Sequence, residues 1–253
     1  MTICLGFSYP RNPNAKPSIL DDVIFMASDS QITTGTAKQA DIQKIVEVKF
    51  ADWPVMVAYA GMYSSAQRFL EIFAEKAAKT EFVHIRTPAD VAEDSIRELR
   101  QLLAKGYEGN PQQRALDFDC GFILGYFFNG MPAIYTLDLD SMLAVRTRTK
   151  FASIGCAANI ANFVLTGVDF DSMSPTQAIG LSVAAIELCK VHDSACGGAV
   201  QMGILGNEGL HCTILPNVYE ENVGEVAAGT SLDVHRFYMN KLIKEFWPYV
   251  KKG

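Results

Sequence analysis

Short hydrophobic runs separated by polar turns make up the first part of the chain. The segments TICLGFSY, DVIFMASD, QKIVEVKF and PVMVAYAG are rich in β-branched and aromatic residues, which is typical of strands. A run rich in Pro and Asn, RNPNAKPSIL, separates the first two segments. The pattern therefore predicts four strands, with a loop over about 11–22 between the first and the second.

Two segments with helical spacing of their apolar residues follow. SSAQRFLEIFAEKAAK predicts one helix, with Ser64 or Ser65 as its N-cap. TPADVAEDSIRELRQLLAKGY predicts a second helix, because Thr87 can cap it, Pro88 suits its first turn and acidic residues follow. The chain thus changes from a run of strands to a run of helices.

The second half repeats this alternation. FDCGFILGYFFNGMPAIYTLDLD predicts a hairpin that turns at Asn129-Gly130, and LAVRTRT predicts a further strand. AANIANFVLTGV and SPTQAIGLSVAAIELCKVH predict two helices. GAVQMGILGNEGLHCTIL predicts a strand pair that turns at Gly206-Asn207, and the amphipathic pattern near the end predicts a C-terminal helix over about 230–249.

The predicted order is ββββ–αα–βββ–αα–ββ–α. Strands in runs and helices in runs favour antiparallel sheets with separate helix layers over a parallel βαβ sheet. We find no internal repeat and no linker rich in Pro and Gly between the halves. The pattern therefore predicts one α+β domain over residues 1–253.

Composition narrows the class of protein. Hydrophobic residues make up 49% and charged residues 20% of the chain, which is ordinary for a globular protein. The net charge of −6 and the scattered basic residues argue against a nucleic-acid partner. No apolar run reaches the roughly 20 residues of a membrane helix, and no signal peptide is visible. We therefore expect a cytoplasmic protein with neither a nucleic-acid nor a membrane partner.

The cysteines and histidines show no metal-binding spacing. No CxxC pair occurs, and the cysteines lie in apolar or small-residue stretches, so we expect small buried side chains rather than disulfides or zinc ligands. We therefore predict no metal and no cofactor, and the absence of a P-loop argues against ATP hydrolysis by that route. The cysteines are Cys4, Cys120, Cys156, Cys189, Cys196 and Cys212, and the histidines are His84, His192, His211 and His235.

Five segments occur in the order of a known family. MASDSQITTG, DIQKIVEV, MVAYAGMYSSAQRFLEIF, FASIGCAANIANFVL and HDSACGGAVQMGIL resemble successive motifs of the proteasome-type β-subunits, which are N-terminal nucleophile hydrolases with HslV-like relatives in bacteria. The resemblance runs from about residue 2 to residue 215. It implies a four-layer αββα sandwich, with two antiparallel sheets between two helix layers.

The resemblance also implies a set of catalytic residues. Removal of the initiator methionine would leave Thr2 with a hydroxyl nucleophile and a free α-amine that can accept its proton. Lys44 matches the lysine that activates this threonine, and Asp29 matches the acid that pairs with the lysine. Gly61 matches the backbone donor to the oxyanion, and Asp193 matches an acid near the threonine amine. The implied activity is therefore that of a threonine peptidase.

Three positions depart from the family pattern. Cys156 and Cys196 stand where the family has serines around the threonine amine, and a thiol is a weaker hydrogen-bonding group than a hydroxyl. The substitutions either weaken the proton shuttle or simply keep the packing, because Cys and Ser are nearly isosteric. Gln31 stands where an arginine is common, which removes a charge from that part of the site.

The positions that line the family's substrate pocket are Ile32, Ile42, Tyr59 and Tyr63 here. Because they are apolar or aromatic, they imply cleavage after hydrophobic residues, although any interface between a sheet and a helix would show the same side chains. The resemblance further implies a homo-oligomeric ring, polypeptide substrates and an ATPase activator. A non-catalytic ring scaffold that keeps its methionine, and an amidase for a small-molecule amide, stay open as alternatives.

Overall fold

The computed structural model describes most of the chain. The described residues are 2–9, 23–34, 37–39, 42–50, 53–80, 86–106, 119–148, 150–168, 170, 175–206 and 212–215. The loop predicted over about 11–22, the turn residue Asn207 and the C-terminal helix predicted over about 230–249 lie outside these residues. The prediction of one domain over 1–253 stays a prediction.

The described elements alternate between groups of strands and pairs of helices. Both halves begin with strands and continue with helices, as the sequence predicts. In chain order the elements are β1 (Ile3–Tyr9), β2 (Val23–Asp29), β3 (Ile32–Thr34), β4 (Ala37–Gln39), β5 (Ile45–Phe50), β6 (Trp53–Gly61), α1 (Tyr63–Lys79), α2 (Pro88–Gly106), β7 (Cys120–Phe128), β8 (Met131–Asp138), β9 (Val145–Arg146), β10 (Phe151–Gly155), α3 (Ala158–Thr166), α4 (Pro175–His192), β11 (Val200–Gly206) and β12 (Cys212–Leu215).

Two five-stranded sheets form the centre of the structure. The first sheet has the order β10-β1-β2-β11-β12, and the second has the order β5-β6-β7-β8-β9. Every described pair of neighbouring strands is antiparallel. Strands β3 and β4 form a separate small hairpin.

The sheets lie face to face, with helices on both outer faces. Helices α3 and α4 pack on the outer face of the first sheet, and helices α1 and α2 pack on the second. A third apolar cluster fills the space between the sheets. This arrangement confirms the predicted α+β class and the four-layer αββα sandwich. The central cluster includes Cys4, Ile24, Met26, Ile45, Met56, Ala58, Ile123 and Leu205.

The two helix starts in the first half have different caps. Thr87 caps α2 as predicted: its Oγ1 accepts the Asp90 N–H at 3.3 Å, and Asp90 Oδ2 accepts the Thr87 N–H at 2.7 Å. The predicted cap of α1 at Ser64 or Ser65 is wrong. That helix begins at Tyr63 with Met62 as its N-cap, and no side chain caps it, because β6 leads almost directly into the helix.

Local signals predicted most elements and missed three short strands. Asn129 and Gly130 form the predicted hairpin turn, with φ of 51° and 75°, the left-handed values that such a two-residue turn requires. The sequence did not predict β10 or the β3–β4 hairpin, because these short strands depend on their partners more than on their own pattern.

None of the helices in the described part of the chain is long and apolar enough to cross a membrane.

Candidate active site

Three chain segments from both sheets meet at one end of the sandwich. Thr2 directly precedes β1, Asp29 ends β2, and Lys44 directly precedes β5. The antiparallel register of β1 and β2, with Cys4 opposite Ser28, brings Thr2 next to the end of β2. Because β5 belongs to the second sheet, Lys44 approaches this pair from the other sheet.

The Lys44 ammonium lies at the centre of this group. Its Nζ is 2.9 Å from Asp29 Oδ1 and donates hydrogen bonds to Thr2 Oγ1 and to the carbonyl oxygen of Gln31. The Thr2 hydroxyl in turn donates to Asp29 Oδ1. Lys44 is 1% exposed and Asp29 is 0% exposed. A buried charge is costly unless it is paired and hydrogen-bonded, and this geometry supplies both conditions.

Backbone N–H groups fix the Asp29 carboxylate from two directions. Oδ1 accepts the Ile3 N–H at 3.0 Å, and Oδ2 accepts the Gly197 N–H at 3.0 Å. The first donor belongs to the start of β1, and the second belongs to the loop that leads into β11. Both oxygens therefore have fixed partners, which sets the direction in which Asp29 meets the lysine.

A buried glutamine holds the backbone around Lys44. Gln201 Oε1 accepts the Lys44 N–H at 2.8 Å, and Gln201 Nε2 donates to the Ile42 carbonyl oxygen at 2.7 Å. The residue is 3% exposed, so these bonds satisfy an amide that is closed to water. Sequence reasoning missed Gln201, although a single amide within the apolar run of β11 was a usable signal.

The carbonyl of Thr2 has its own support. The Cys156 N–H donates to this oxygen at 3.0 Å, directly after Gly155, whose φ is +102°. A Cβ at Gly155 would overlap the Thr2 carbonyl and would lie 3.2 Å from the Cβ of Ala60. Only glycine therefore allows β10 to approach Thr2 this closely, and sequence reasoning missed this residue.

Gly61 occupies a comparable position at the end of β6. Its φ is +107°, and a Cβ there would overlap the carbonyl oxygen of Asp119, which also accepts the Met62 N–H at 2.9 Å. Because its neighbour Ala60 faces Gly155, Gly61 lies at the same end of the sandwich as Thr2. Its role as a donor to an oxyanion stays a prediction.

The two cysteines in place of the family's serines contact each other beside Thr2. Cys156 Sγ is 3.8 Å from Cys196 Sγ and 3.5 Å from the Thr2 carbonyl oxygen. Hydrogen bonding with Cys156, followed by the Ala195 N–H, holds the pKa of the Asp193 carboxyl below its usual value. The hydrogen bond with Cys156 and then burial raise the pKa of the Cys196 thiol.

Gln31 stands in the site without supplying the charge of an arginine. Its carbonyl oxygen accepts from Lys44, and its Nε2 donates to the Ser194 carbonyl oxygen at 3.3 Å. A Cβ at Gly197 would overlap the Gln31 amide group. Gln31 therefore packs the end of β2 against the loop before β11.

One of the four predicted substrate-binding residues does not reach the surface. Tyr59 is 1% exposed; its hydroxyl donates to the Gln43 carbonyl oxygen at 2.7 Å and accepts from Gln67 at 3.2 Å. The ring belongs to the core under α1, and contact of Tyr59 with substrate stays a prediction. For the other three, substrate contact also stays a prediction: Tyr63 is exposed, and Ile32 and Ile42 are half-buried.

A concavity of about 820 Å³ lies elsewhere in the described structure. It is lined by Glu93 of α2 and by residues 143–148 around β9. None of the predicted site residues contributes to it. The group around Thr2 is therefore described by its polar contacts.

Comparisons with known sequences identify related proteins. A family model described as proteasome subunit matches residues 19–205 of the chain. The chain is also 23% identical over 199 residues to proteasome subunit beta 2 of Aeropyrum pernix, which covers 78% of this chain and 84% of that protein.

Solved structures with the same fold include several Anbu proteins. A Gly-1 mutant of Anbu from Hyphomicrobium sp. strain MC1 has a TM-score of 0.71 at 14% identity and covers 100% of this chain and 99% of its own. Anbu from Yersinia bercovieri, described as an ancestral beta-subunit, has a TM-score of 0.68 at 12% identity, with 96% and 95% coverage. The Anbu complex from Pseudomonas aeruginosa, solved as a helical assembly, has a TM-score of 0.70 at 14% identity, with 95% and 94% coverage.

Proposed function

Because the chain belongs to the proteasome subunit family, we propose that it is a threonine peptidase whose nucleophile is Thr2 after removal of Met1. One observation carries this proposal: Lys44 Nζ contacts the Thr2 hydroxyl while it is paired with the buried Asp29. A hydroxyl is a weak nucleophile at neutral pH and needs activation by a neighbouring group. The Thr2 hydroxyl lies within hydrogen-bond reach of a cation that stabilises its developing negative charge.

The free α-amine of Thr2 would act as the base. Its reference pKa of about 7.7–8.0 leaves a neutral fraction near pH 7. In the proposed reaction Thr2 Oγ1 attacks the substrate carbonyl carbon, and its proton passes to the amine. The amine then protonates the departing nitrogen of the substrate as the peptide bond breaks, which leaves an ester on Thr2. A water molecule hydrolyses that ester and restores the hydroxyl.

The surrounding residues would orient these groups. Asp29, held by two backbone N–H groups, keeps the Lys44 ammonium against Oγ1. Gly61 would supply a backbone N–H to the oxyanion, and Asp193 would lie near the threonine amine. Cys156 positions the Thr2 carbonyl through its own N–H.

The proposed substrates are polypeptides, and the proposed assembly is a homo-oligomer. The Anbu complex from P. aeruginosa was solved as a helical assembly, which supports an assembly of repeated copies without fixing whether it is a ring or a helix. An ATPase that delivers unfolded substrate, and a cytoplasmic location, stay predictions of the family resemblance.

Intact mass spectrometry with a peptide epoxyketone tests the proposal directly. This reagent forms a ring by reacting with both the hydroxyl and the free amine of an N-terminal threonine. We expect a chain that lacks Met1 to gain one inhibitor mass, and tandem mass spectrometry to locate that mass on the N-terminal peptide. Thr2→Ala, which also exposes an N-terminal amine after methionine removal, is the matched control and should gain nothing.

The other outcomes point to the alternatives. A chain that keeps Met1 and takes up no reagent would contradict the peptidase proposal and favour a non-catalytic scaffold. A chain that reacts with the reagent but cleaves only small acyl amides, and no peptide of a mixed-sequence panel, would favour an amidase that uses the same nucleophile.

A further inference from the structure

A compact group of metal-ligating side chains lies next to Thr2. Sγ of Cys156, Sγ of Cys196 and a carboxylate oxygen of Asp193 all lie within 4.8 Å of one another. Cys156 and Asp193 are half-buried, and Cys196 is buried. Two thiols and a carboxylate are ligands that zinc accepts in proteins, and the half-buried members leave the group open on one side.

The sulfur–sulfur distance discriminates between two kinds of chemistry. A disulfide requires the sulfurs to be about 2.05 Å apart, whereas Cys156 Sγ and Cys196 Sγ are 3.8 Å apart. Two thiolates bound to one zinc ion at about 2.3 Å, with a tetrahedral angle between them, stand about 3.8 Å apart. The sulfurs therefore already have the separation of a tetrahedral metal site, and a disulfide would need them to move closer by nearly 2 Å.

Two of the three ligands are thiols outside any disulfide, and a thiol carries a proton. The two thiols contact each other at 3.8 Å. A metal ion replaces such protons, because thiols bind as thiolates and release their protons to solvent. The Ala195 N–H donates to Asp193 Oδ1 at 2.9 Å, a contact that holds this carboxylate beside the two sulfurs.

We propose that Cys156, Cys196 and Asp193 bind one soft divalent metal ion of the zinc class. The spacing of 40 residues between the cysteines matches no metal motif, so only the folded chain shows this site. The site lies beside the Thr2 main chain, since the Thr2 carbonyl oxygen is 3.5 Å from Cys156 Sγ.

The position of the site gives it a regulatory consequence that rests on the proposed function. After Met1 is removed, the neutral amine of Thr2 is a nitrogen ligand in the same residue as that carbonyl. An ion that binds this amine prevents it from accepting the hydroxyl proton. Metal binding therefore inhibits Thr2 reversibly, and chelation restores its reactivity.

Titration of the full chain with Cd²⁺ tests the site without any assay of activity. Cadmium is a zinc substitute whose bonds to thiolates absorb in the ultraviolet, and a phosphine reductant keeps the thiols reduced. We expect one Cd²⁺ per chain, with an absorption that corresponds to two thiolates. Cys156→Ser and Cys196→Ser should each lose half or more of it, and the double variant should lose all of it.

Two further variants refine the assignment. Asp193→Asn should keep the absorption of two thiolates but bind Cd²⁺ at least about tenfold more weakly. Cys120→Ala removes a buried cysteine from β7 of the second sheet. This variant should bind Cd²⁺ as the natural chain does. Absence of the absorption in the natural chain, or its persistence in the double serine variant, would overturn the site.

A second measurement avoids variants that fail to fold. In the natural chain, bound Cd²⁺ should slow alkylation of the half-buried Cys156, as read from its peptide by mass spectrometry, and chelation should restore the rate. Unchanged alkylation at saturating Cd²⁺ would also overturn the site.

Epoxyketone labelling then tests inhibition separately. Saturating Cd²⁺ should slow labelling of the natural chain at least about tenfold, and a chelator should reverse the effect. Equal labelling with and without Cd²⁺ would refute inhibition while the absorption band still established the site. A metal-free chain that takes up no epoxyketone would instead contradict the proposed function and leave the metal site standing.

Discussion

Lys44 and Asp29 form an ion pair of 2.9 Å that is closed to solvent, with the side chains 1% and 0% exposed. The Thr2 hydroxyl contacts both members. Such a pair is costly to bury and becomes strongly unfavourable when one partner is removed. The pair therefore links the stability of the fold to the chemistry of the site.

A double-mutant cycle on this pair should show strong coupling. We expect Lys44→Met to lower the free energy of unfolding by about 3 kcal/mol, because Asp29 would remain buried without its cation. Asp29→Asn combined with Lys44→Met should cost clearly less than the sum of the single changes, as measured by urea unfolding. Lys44→Met should also abolish epoxyketone labelling.

Lys79→Met is the matched control for the cycle. Lys79 forms an exposed ion pair with Glu75 at 2.5 Å, and exposed pairs contribute little, so its loss should cost far less than that of Lys44. Additive effects of the Lys44 and Asp29 changes, within about 0.5 kcal/mol, would show that the pair is not energetically coupled.

Replacing Gly155 by alanine should disturb Thr2 specifically. The alanine would have to keep the positive φ of Gly155, which costs about 1–2 kcal/mol. Its Cβ would also overlap the Thr2 carbonyl oxygen, which adds a cost of about 1–3 kcal/mol. Gly130→Ala provides the control, because Gly130 also has a positive φ but its new Cβ would have no atom of the described residues within 4 Å.

Thermal or urea unfolding should therefore show a larger loss for Gly155→Ala than for Gly130→Ala. Labelling of Thr2 by the epoxyketone should fall only in Gly155→Ala. Equal losses of stability in the two variants would mean that β10 can shift away from Thr2 without cost.

Gln201→Leu should destabilise the backbone that carries Lys44. Loss of the Gln201 amide leaves the Lys44 N–H and the Ile42 carbonyl without the partners they have now. Such unsatisfied buried groups cost about 1–3 kcal/mol. We expect a loss of about 2 kcal/mol in urea unfolding, together with slower labelling of Thr2.

Gln67→Leu is the comparison for this change. Gln67 donates to the Tyr59 hydroxyl, which keeps its own bond to the Gln43 carbonyl oxygen, so the loss should stay below about 1 kcal/mol. If Gln201→Leu were as mild as Gln67→Leu, the contacts of Gln201 would be replaceable by water.

The helix caps should differ in their response to alanine. Thr87→Ala removes the bond to the Asp90 N–H and should cost about 1 kcal/mol. Ser64→Ala should have almost no effect, because no side chain caps α1 and Ser64 is exposed. A loss at Ser64 equal to that at Thr87 would restore the cap that the sequence suggested for α1.

Local patterns were sufficient for the long elements. The turn at Asn129-Gly130 and the cap formed by Thr87 and Asp90 depend on residues close in sequence, so their preferences persist in the fold. The start of α1 departs from its local signal because a strand leads into it. The order of the family motifs indicated Thr2, Asp29 and Lys44 as a set, although it could not show their contacts.

The sequence by itself thus determined the alternation of strand groups and helix pairs, the sandwich class and the residue of the proposed nucleophile. Only the tertiary structure decided that Tyr59 is buried, that Gln201 supports Lys44, and that Cys156 and Cys196 lie 3.8 Å apart. The physical reason is distance along the chain. Backbone preferences act over a few residues, whereas these contacts form only when two sheets pack face to face and bring distant segments together.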